Sequence, residues 1–331
     1  MNSSTFFDRA LLISGEDSFN EMALELFRYQ SVNIPPYAAY LNYLKTDINL
    51  ITHYSQIPFL PVTVFKTHAV TEAGNESGFY FSSSGTTGQV TSKHFVPDLT
   101  IYEKSFLIGF ELFYGAPAKY CMLALLPSYL ERSGSSLVYM ADRLIKESHH
   151  PDSGFYLHNY EELRNKIKIL NEQQTPVFLL GVTYALLDLF NESFNAGSNI
   201  IIMETGGMKG KRAEMIKPEL HRILKQQSGA KAIHSEYGMT ELLSQAYAVA
   251  DGIFSTPPWM KVLIGDLHDP FAKVTDESTG VIQVIDLANI HSCAFIATQD
   301  LGRNTTSGNS FEIMGRMDHS EWRGCNLMIA E

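Results

Sequence analysis

Between residues 78 and 250, short runs of unbroken apolar residues alternate with charged, amphipathic segments, and this alternation limits the possible folds most. Gly78-Phe-Tyr-Phe-Ser leads directly into a loop of Gly, Ser and Thr. Tyr120-Cys-Met-Leu-Ala-Leu-Leu, Pro176-Val-Phe-Leu-Leu-Gly and Asn199-Ile-Ile-Ile-Met have the length and continuous apolarity of strands covered on both faces. The spacing predicts helices over residues 160–173, 183–190 and 213–227. Strands alternating with helices give an α/β fold, with sheets flanked by helices. Residues 1–71 read as mostly helical. Asp17 or Ser18 can cap a helix carrying Met22, Leu24, Leu26 and Phe27; Pro35-Pro36 ends it, and a second helix starts near Tyr37. Pro58 and Pro61 bracket an extended stretch before residues 62–65. After Asp251 come four short strand patterns: Lys261-Val-Leu-Ile, Gly280-Val-Ile-Gln-Val-Ile-Asp, Phe295-Ile-Ala-Thr and Ser310-Phe-Glu-Ile-Met. The expected organisation is an α/β part over residues 1–250, a small β-rich lobe over 251–315, and a tail over 316–331.

Composition narrows the function. The chain has 331 residues, a net charge of −11 and 18% charged residues, with 20 Phe and 16 Tyr to build a core. An acidic balance argues against nucleic-acid or membrane-surface binding, which needs clustered Lys and Arg. A small anion can still be held by a few backbone N–H groups. Cys121, Cys293 and Cys325 are odd in number and far apart, which excludes a disulfide framework or CxxC site and fits a reducing compartment. Asp8 and Arg9 interrupt any leader-like apolar run, and the apolar stretch over 177–190 is broken by Gly181, Thr183 and Asp188. A cytoplasmic location is expected.

Four segments carry chemistry. Ser82-Ser-Ser-Gly-Thr-Thr-Gly88 offers backbone and hydroxyl donors to phosphate oxygens, although an ordinary turn has the same composition. It lacks the Gly-Lys-Ser/Thr of a P-loop, and Gly206-Gly-Met-Lys-Gly-Lys211 is one residue short of that pattern. Tyr237-Gly-Met-Thr-Glu241 sets an aromatic ring, a tight bend and a hydroxyl beside a carboxylate, after an expected strand over residues 230–234. Glu241 suits a magnesium ligand, and equally the first-turn acid of a helix. Thr298-Gln-Asp-Leu-Gly-Arg303 and Gly315-Arg-Met-Asp318 suit ribose recognition, and equally Asp-containing turns.

Read in order, these segments resemble the core motifs of the adenylate-forming superfamily: acyl-CoA synthetases, firefly luciferase and peptide-synthetase adenylation domains. The resemblance covers the chain from Phe79 onward and implies the large amino-terminal domain of that fold, with ATP and Mg²⁺ as cofactors. It implies that Ser84, Gly85, Thr86, Thr87 and Gly88 form the phosphate loop. Gly206, Gly207 and Met208 would line the adenine site, with Tyr237, Gly238 and Met239 beside the base. Thr240 would contact the α-phosphate, Glu241 would hold Mg²⁺, Asp300 the ribose hydroxyls, and Arg316 would lie near ribose or phosphate. Asp318 would be the hinge. Two departures stand out. The loop lysine is displaced to Lys93, and the sequence runs only 13 residues past Asp318, where the superfamily's small domain of about a hundred residues would follow.

The ending Gly315-Arg-Met-Asp-His-Ser-Glu-Trp-Arg-Gly-Cys-Asn-Leu327 and the segment over 126–137 resemble the acyl-protein synthetase branch of bacterial fatty-acid reductase systems. That branch implies activation of a fatty acid to acyl-AMP and transfer to a thiol: Cys325, a carrier or reductase protein, or CoA. Cys325 also suits simple packing. A phenylacetate-type CoA ligase and a non-catalytic nucleotide- or acyl-binding relative are the alternatives.

Overall fold

The computed structural model describes residues 1–83, 90–127, 134–192, 194–206, 215–267, 269, 272, 274, 278–305 and 310–317. The chain forms two units interleaved in sequence. Met1–Ser105, Met239–Ser244 and Thr256–Glu331 make the first; Phe106–Gly238 and Gln245–Ser255 make the second.

The first unit opens with α1 (Ser3–Ala10), α2 (Glu16–Asn33) and α3 (Pro35–Tyr43). The Asn2 side chain caps α1 by accepting from the Thr5 amide at 3.0 Å. Ser18 closes the start of α2, accepting from the Gly15 amide at 3.2 Å. Pro35 sits at the first turn of α3, where its missing N–H costs nothing, so the Pro-Pro pair both ends α2 and starts the next helix. The extended stretch is β1 (Leu60–Pro61), followed by a 3₁₀ helix over Val62–Lys66. β2 (Tyr80–Ser82) and β3 (Lys93–Phe95) pair as an antiparallel hairpin with Ser82 opposite Lys93.

α4 (Leu99–Tyr114) carries the chain into the second unit, its first turn capped by Asp98 on the Thr100 amide at 3.0 Å. There follow β4 (Cys121–Leu125), α5 (Ser136–Ser148), β5 (Gly154–Tyr156), α6 (Tyr160–Glu172), β6 (Val177–Val182) and α7 (Thr183–Leu189). Then come β7 (Ile200–Thr205), α8 (Lys217–Ser228), β8 (His234–Tyr237), β9 (Ala246–Ala248) and β10 (Ile253–Ser255). The sheet order within this unit is β5-β4-β6-β7-β8-β9-β10. β5 to β8 are parallel, and β9 and β10 add antiparallel strands. β4 and β6 are buried along their whole length, as unbroken apolar runs require. β8 begins at His234, later than the expected strand over 230–234, because its register with β7 is set by Met203, Glu204 and Thr205. Tyr237 therefore ends the strand rather than following it.

The rest of the first unit is an antiparallel sheet of β11 (Met260–Gly265), β12 (Gly280–Asp286), β13 (Phe295–Asn304) and β14 (Ser310–Arg316). β1 joins β13 in parallel, Leu60 opposite Ile296. Its core draws on Trp259, Ile282, Val284 and Phe295 with Phe19 and Phe27 of α2, all at most 2% exposed. No helix among the described residues is long and apolar enough to cross a membrane.

Candidate functional site

In the second unit the relevant side chains lie at the carboxyl ends of β6, β7 and β8, where ligands of parallel α/β sheets bind. Gly206 leaves β7 with φ 66°, a left-handed turn that suits glycine. Its carbonyl accepts a hydrogen bond from Thr183 Oγ1 at 2.8 Å, and the same hydroxyl lies 3.0 Å from Glu204 Oε2. Glu204 is 1% exposed and ion-paired to Lys217, and its Oε1 is 3.7 Å from His221 Nε2. His221 Nε2 is also 3.1 Å from Ser235 Oγ. Burial pushes the Glu204 carboxyl up, but Lys217 and the surrounding hydrogen bonds outweigh it and hold the group at about 2.

Glu236 differs. Burial raises its carboxyl to about 7, with Glu204 adding repulsion and a hydrogen bond from Thr205 opposing it only in part. Gly238 comes next to this group in space. A Cβ there would press on the Glu236 carboxyl, and φ of Gly238 is not positive, so what glycine supplies here is room rather than a bend. Tyr237 is buried, its ring edge-on to Phe254 at 6.1 Å.

In the first unit, Met239, Thr240 and Glu241 belong to a segment held by side chains. Glu241 is 6% exposed, and its carboxylate accepts a hydrogen bond from Ser92 Oγ. No cation pairs with it among the described residues; Arg316 and Lys66 act on it only through space. Burial raises its pKa, and the Ser92 hydrogen bond offsets this in part. Ser92 and His94 share one side of the strand. Lys93 alternates away, its ammonium 5.0 Å over the Tyr80 ring. Asp300 and Arg316 are opposite one another on β13 and β14, with Arg316 Nε 3.9 Å from Asp300 Oδ1. Ser84, Gly85, Thr86, Thr87, Gly88, Gly207, Met208, Asp318 and Cys325 lie outside the described residues.

A magnesium ion fits Glu241 in kind. A buried carboxylate without a paired cation invites one, and no three metal-ligating side chains come together among the described residues. Such an ion would complete its shell from phosphate oxygens and water, as Mg²⁺ usually does. The polar partners that the sequence did not single out are Ser92, His94, Asp286 and Asn289 in the first unit and, separately, Thr183, Glu204 and Lys217 in the second. Only Thr183 and Glu204 carried a signal, at the ends of buried strands.

The chain is similar in structure to 2-hydroxyisobutyryl-CoA ligase in the postadenylation state with 2-HIB-AMP: TM-score 0.67 at 12% identity, covering 92% of this chain and 68% of that one. The fold is that of the amino-terminal domain of adenylate-forming ligases. ATP-bound MatB from Rhodopseudomonas palustris superposes with TM-score 0.55 at 16% identity, over 72% of this chain and 47% of that one. McyG A-PCP complexed with phenylalanyl-adenylate gives 0.53 at 13% identity, over 72% and 41%. This chain thus spans about half the length of MatB. No family model and no curated protein matches the sequence.

Proposed function

We propose that this chain activates a carboxylic acid with ATP, forming acyl-AMP and pyrophosphate. The observation that carries the reading is Glu241: a buried carboxylate with no paired cation among the described residues, at the end of Tyr237-Gly-Met-Thr-Glu241, in a fold shared with adenylating ligases. A carboxylate oxygen attacks the α-phosphorus, the P–O bond to pyrophosphate breaks, and a mixed anhydride forms. The protein contributes positioning and charge complementarity. Magnesium at Glu241 would neutralise phosphate charge. Thr240 offers its hydroxyl to the α-phosphate and Asp300 its carboxylate to the ribose.

A thiol then attacks the activated carbonyl and AMP departs with its phosphate oxygen. The ending Arg323-Gly-Cys-Asn-Leu327 supports a fatty acid as substrate and Cys325 as acceptor, with a carrier or reductase protein downstream. CoA as acceptor is the second reading, supported by 2-hydroxyisobutyryl-CoA ligase having been seen with 2-HIB-AMP and CoA. ATP–pyrophosphate exchange with a panel of acids tests the first step. Exchange that Glu241→Gln abolishes, with the melting temperature preserved, supports it, and no exchange with any acid leaves a nucleotide- or acyl-binding protein. Labelled acid plus ATP should then leave a hydroxylamine-sensitive label that Cys325→Ser removes while exchange persists. A CoA-dependent product with no protein label selects the ligase.

A further inference from the structure

The segment Met239–Ser244 has no regular secondary structure, so its backbone groups must find partners elsewhere. The Leu242 amide donates to the Met239 carbonyl at 3.1 Å, and several others find side chains. The Thr240 carbonyl faces His94 Nδ1 at 2.8 Å. The Glu241 carbonyl accepts from Asn289 Nδ2 at 2.9 Å. The Leu243 and Ser244 amides donate to Asp286 Oδ2 at 2.7 and 3.0 Å. Ser92 Oγ then holds the Glu241 carboxylate itself. Both peptide carbonyls flanking the Glu241 Cα are thus gripped, one from β3 and one from the turn after β12.

His94 and Asn289 also meet each other, Nε2 to Oδ1 at 3.0 Å. The Asn289 amide is fixed in orientation, because its Nδ2 faces two carbonyls, Glu241 and Cys293, both at 2.9 Å. Its oxygen must therefore face the imidazole. Both ring nitrogens of His94 face oxygen acceptors, and burial lowers its pKa to about 4, so the neutral ring has one N–H; carried on Nδ1 it donates to the Thr240 carbonyl, and Nε2 then meets Asn289 Oδ1 as a contact rather than a hydrogen bond. Phe65, edge-on at 5.8 Å, closes the remaining side.

We infer that His94 and Asn289 are positioning residues that fix the Thr240–Glu241 backbone to β3 and to the turn after β12. The role toward nucleotide rests on the proposed function; the clamp on the backbone does not. A fixed carbonyl on each side of Glu241 sets where its carboxylate points.

Two conservative variants separate the contacts. Asn places its amide nitrogen where His Nδ1 lies, and Gln places its own where Nε2 lies. His94→Asn should therefore keep the Thr240 contact, and His94→Gln should lose it. Hydrogen exchange of apo protein should show the 239–244 amides exchanging about tenfold faster in His94→Gln, with His94→Asn close to wild type. In pyrophosphate exchange, His94→Gln should raise the half-saturating Mg²⁺ and the KM for ATP about tenfold with kcat changed less, the split expected of a misplaced ligand. Equal protection of the segment in both variants and wild type overturns the clamp. So does a loss of protection spread over the whole first unit, which would mark His94 as ordinary packing. If wild type shows no pyrophosphate exchange, the functional reading fails while the hydrogen-exchange comparison still decides the clamp.

Discussion

Glu204 in the second unit and Glu241 in the first are both almost wholly buried, at 1% and 6% exposure, yet their surroundings treat them in opposite ways. Glu204 is met by the Lys217 ammonium, by Thr183 and by the His221–Ser235 pair, and is held ionised down to about 2. Glu241 has a serine hydroxyl and two distant cations, and burial drives its pKa up. A buried charge with its counter-ion built in is a strut; a buried charge lacking one is a place for a cation from outside. The contrast makes Glu204 part of the fold's own support and agrees with the role proposed for Glu241.

The largest effect should come from unpairing the strut. Lys217→Met leaves Glu204 uncompensated and should cost about 3–5 kcal/mol in urea unfolding. Glu241→Gln should change stability by no more than about 1 kcal/mol, since it removes a charge the fold does not neutralise. An equal loss at both sites would break the comparison.

Titration sharpens it next, because two buried groups shift stability in opposite directions with pH. Glu236 has an ordinary pKa near 4.5 unfolded and about 7 folded, so its contribution is complete below 4.5 and is lost as pH rises through 7. The limit is about 3 kcal/mol, and Glu236→Gln should flatten the stability profile between those values. His94 falls from 6.5 unfolded to about 4 folded. The unfolded chain binds its proton first, so stability is complete above 6.5 and falls on acidification toward 4, again by about 3 kcal/mol at most. His94→Asn should remove that acid limb; its persistence would assign it to His234, which burial also lowers to about 4.

Asp300→Ala should weaken ATP binding by about 1–3 kcal/mol in calorimetry, the worth of charge-assisted hydrogen bonds to hydroxyls. Unchanged affinity would remove Asp300 from the site. Least affected should be the stability of Arg316→Ala, within about 0.5 kcal/mol, because Arg316 is 70% exposed and only 3.9 Å from its partner.

Much of this was legible in the chain. The expected strands over Gly280–Asp286 and Val177–Val182, and the helices at Tyr160–Glu172 and Thr183–Leu189, stand within a residue or two of where their periodicity put them. α4 and α5 lie outside those expectations although each start carries a cap, Asp98 in one and Ser135 accepting from the Val138 amide at 3.3 Å in the other. β9 and β10 are three residues each, too short for alternation to declare itself.

Periodicity, caps and ordered motifs act over a few residues, so the sequence by itself determined the α/β class, the buried strands and which carboxylates to watch. It did not decide what each carboxylate meets. Ser92 reaches Glu241 across 149 positions, and His94 reaches Asn289 across 195, while Lys217 meets Glu204 only because α8 folds back on β7. Whether a buried charge is matched or left open depends on such pairings, which burial makes energetically decisive and which no local pattern encodes. Gly238 makes the same point on a smaller scale: its motif predicts a bend, and a Cβ there would press on the buried Glu236 carboxyl.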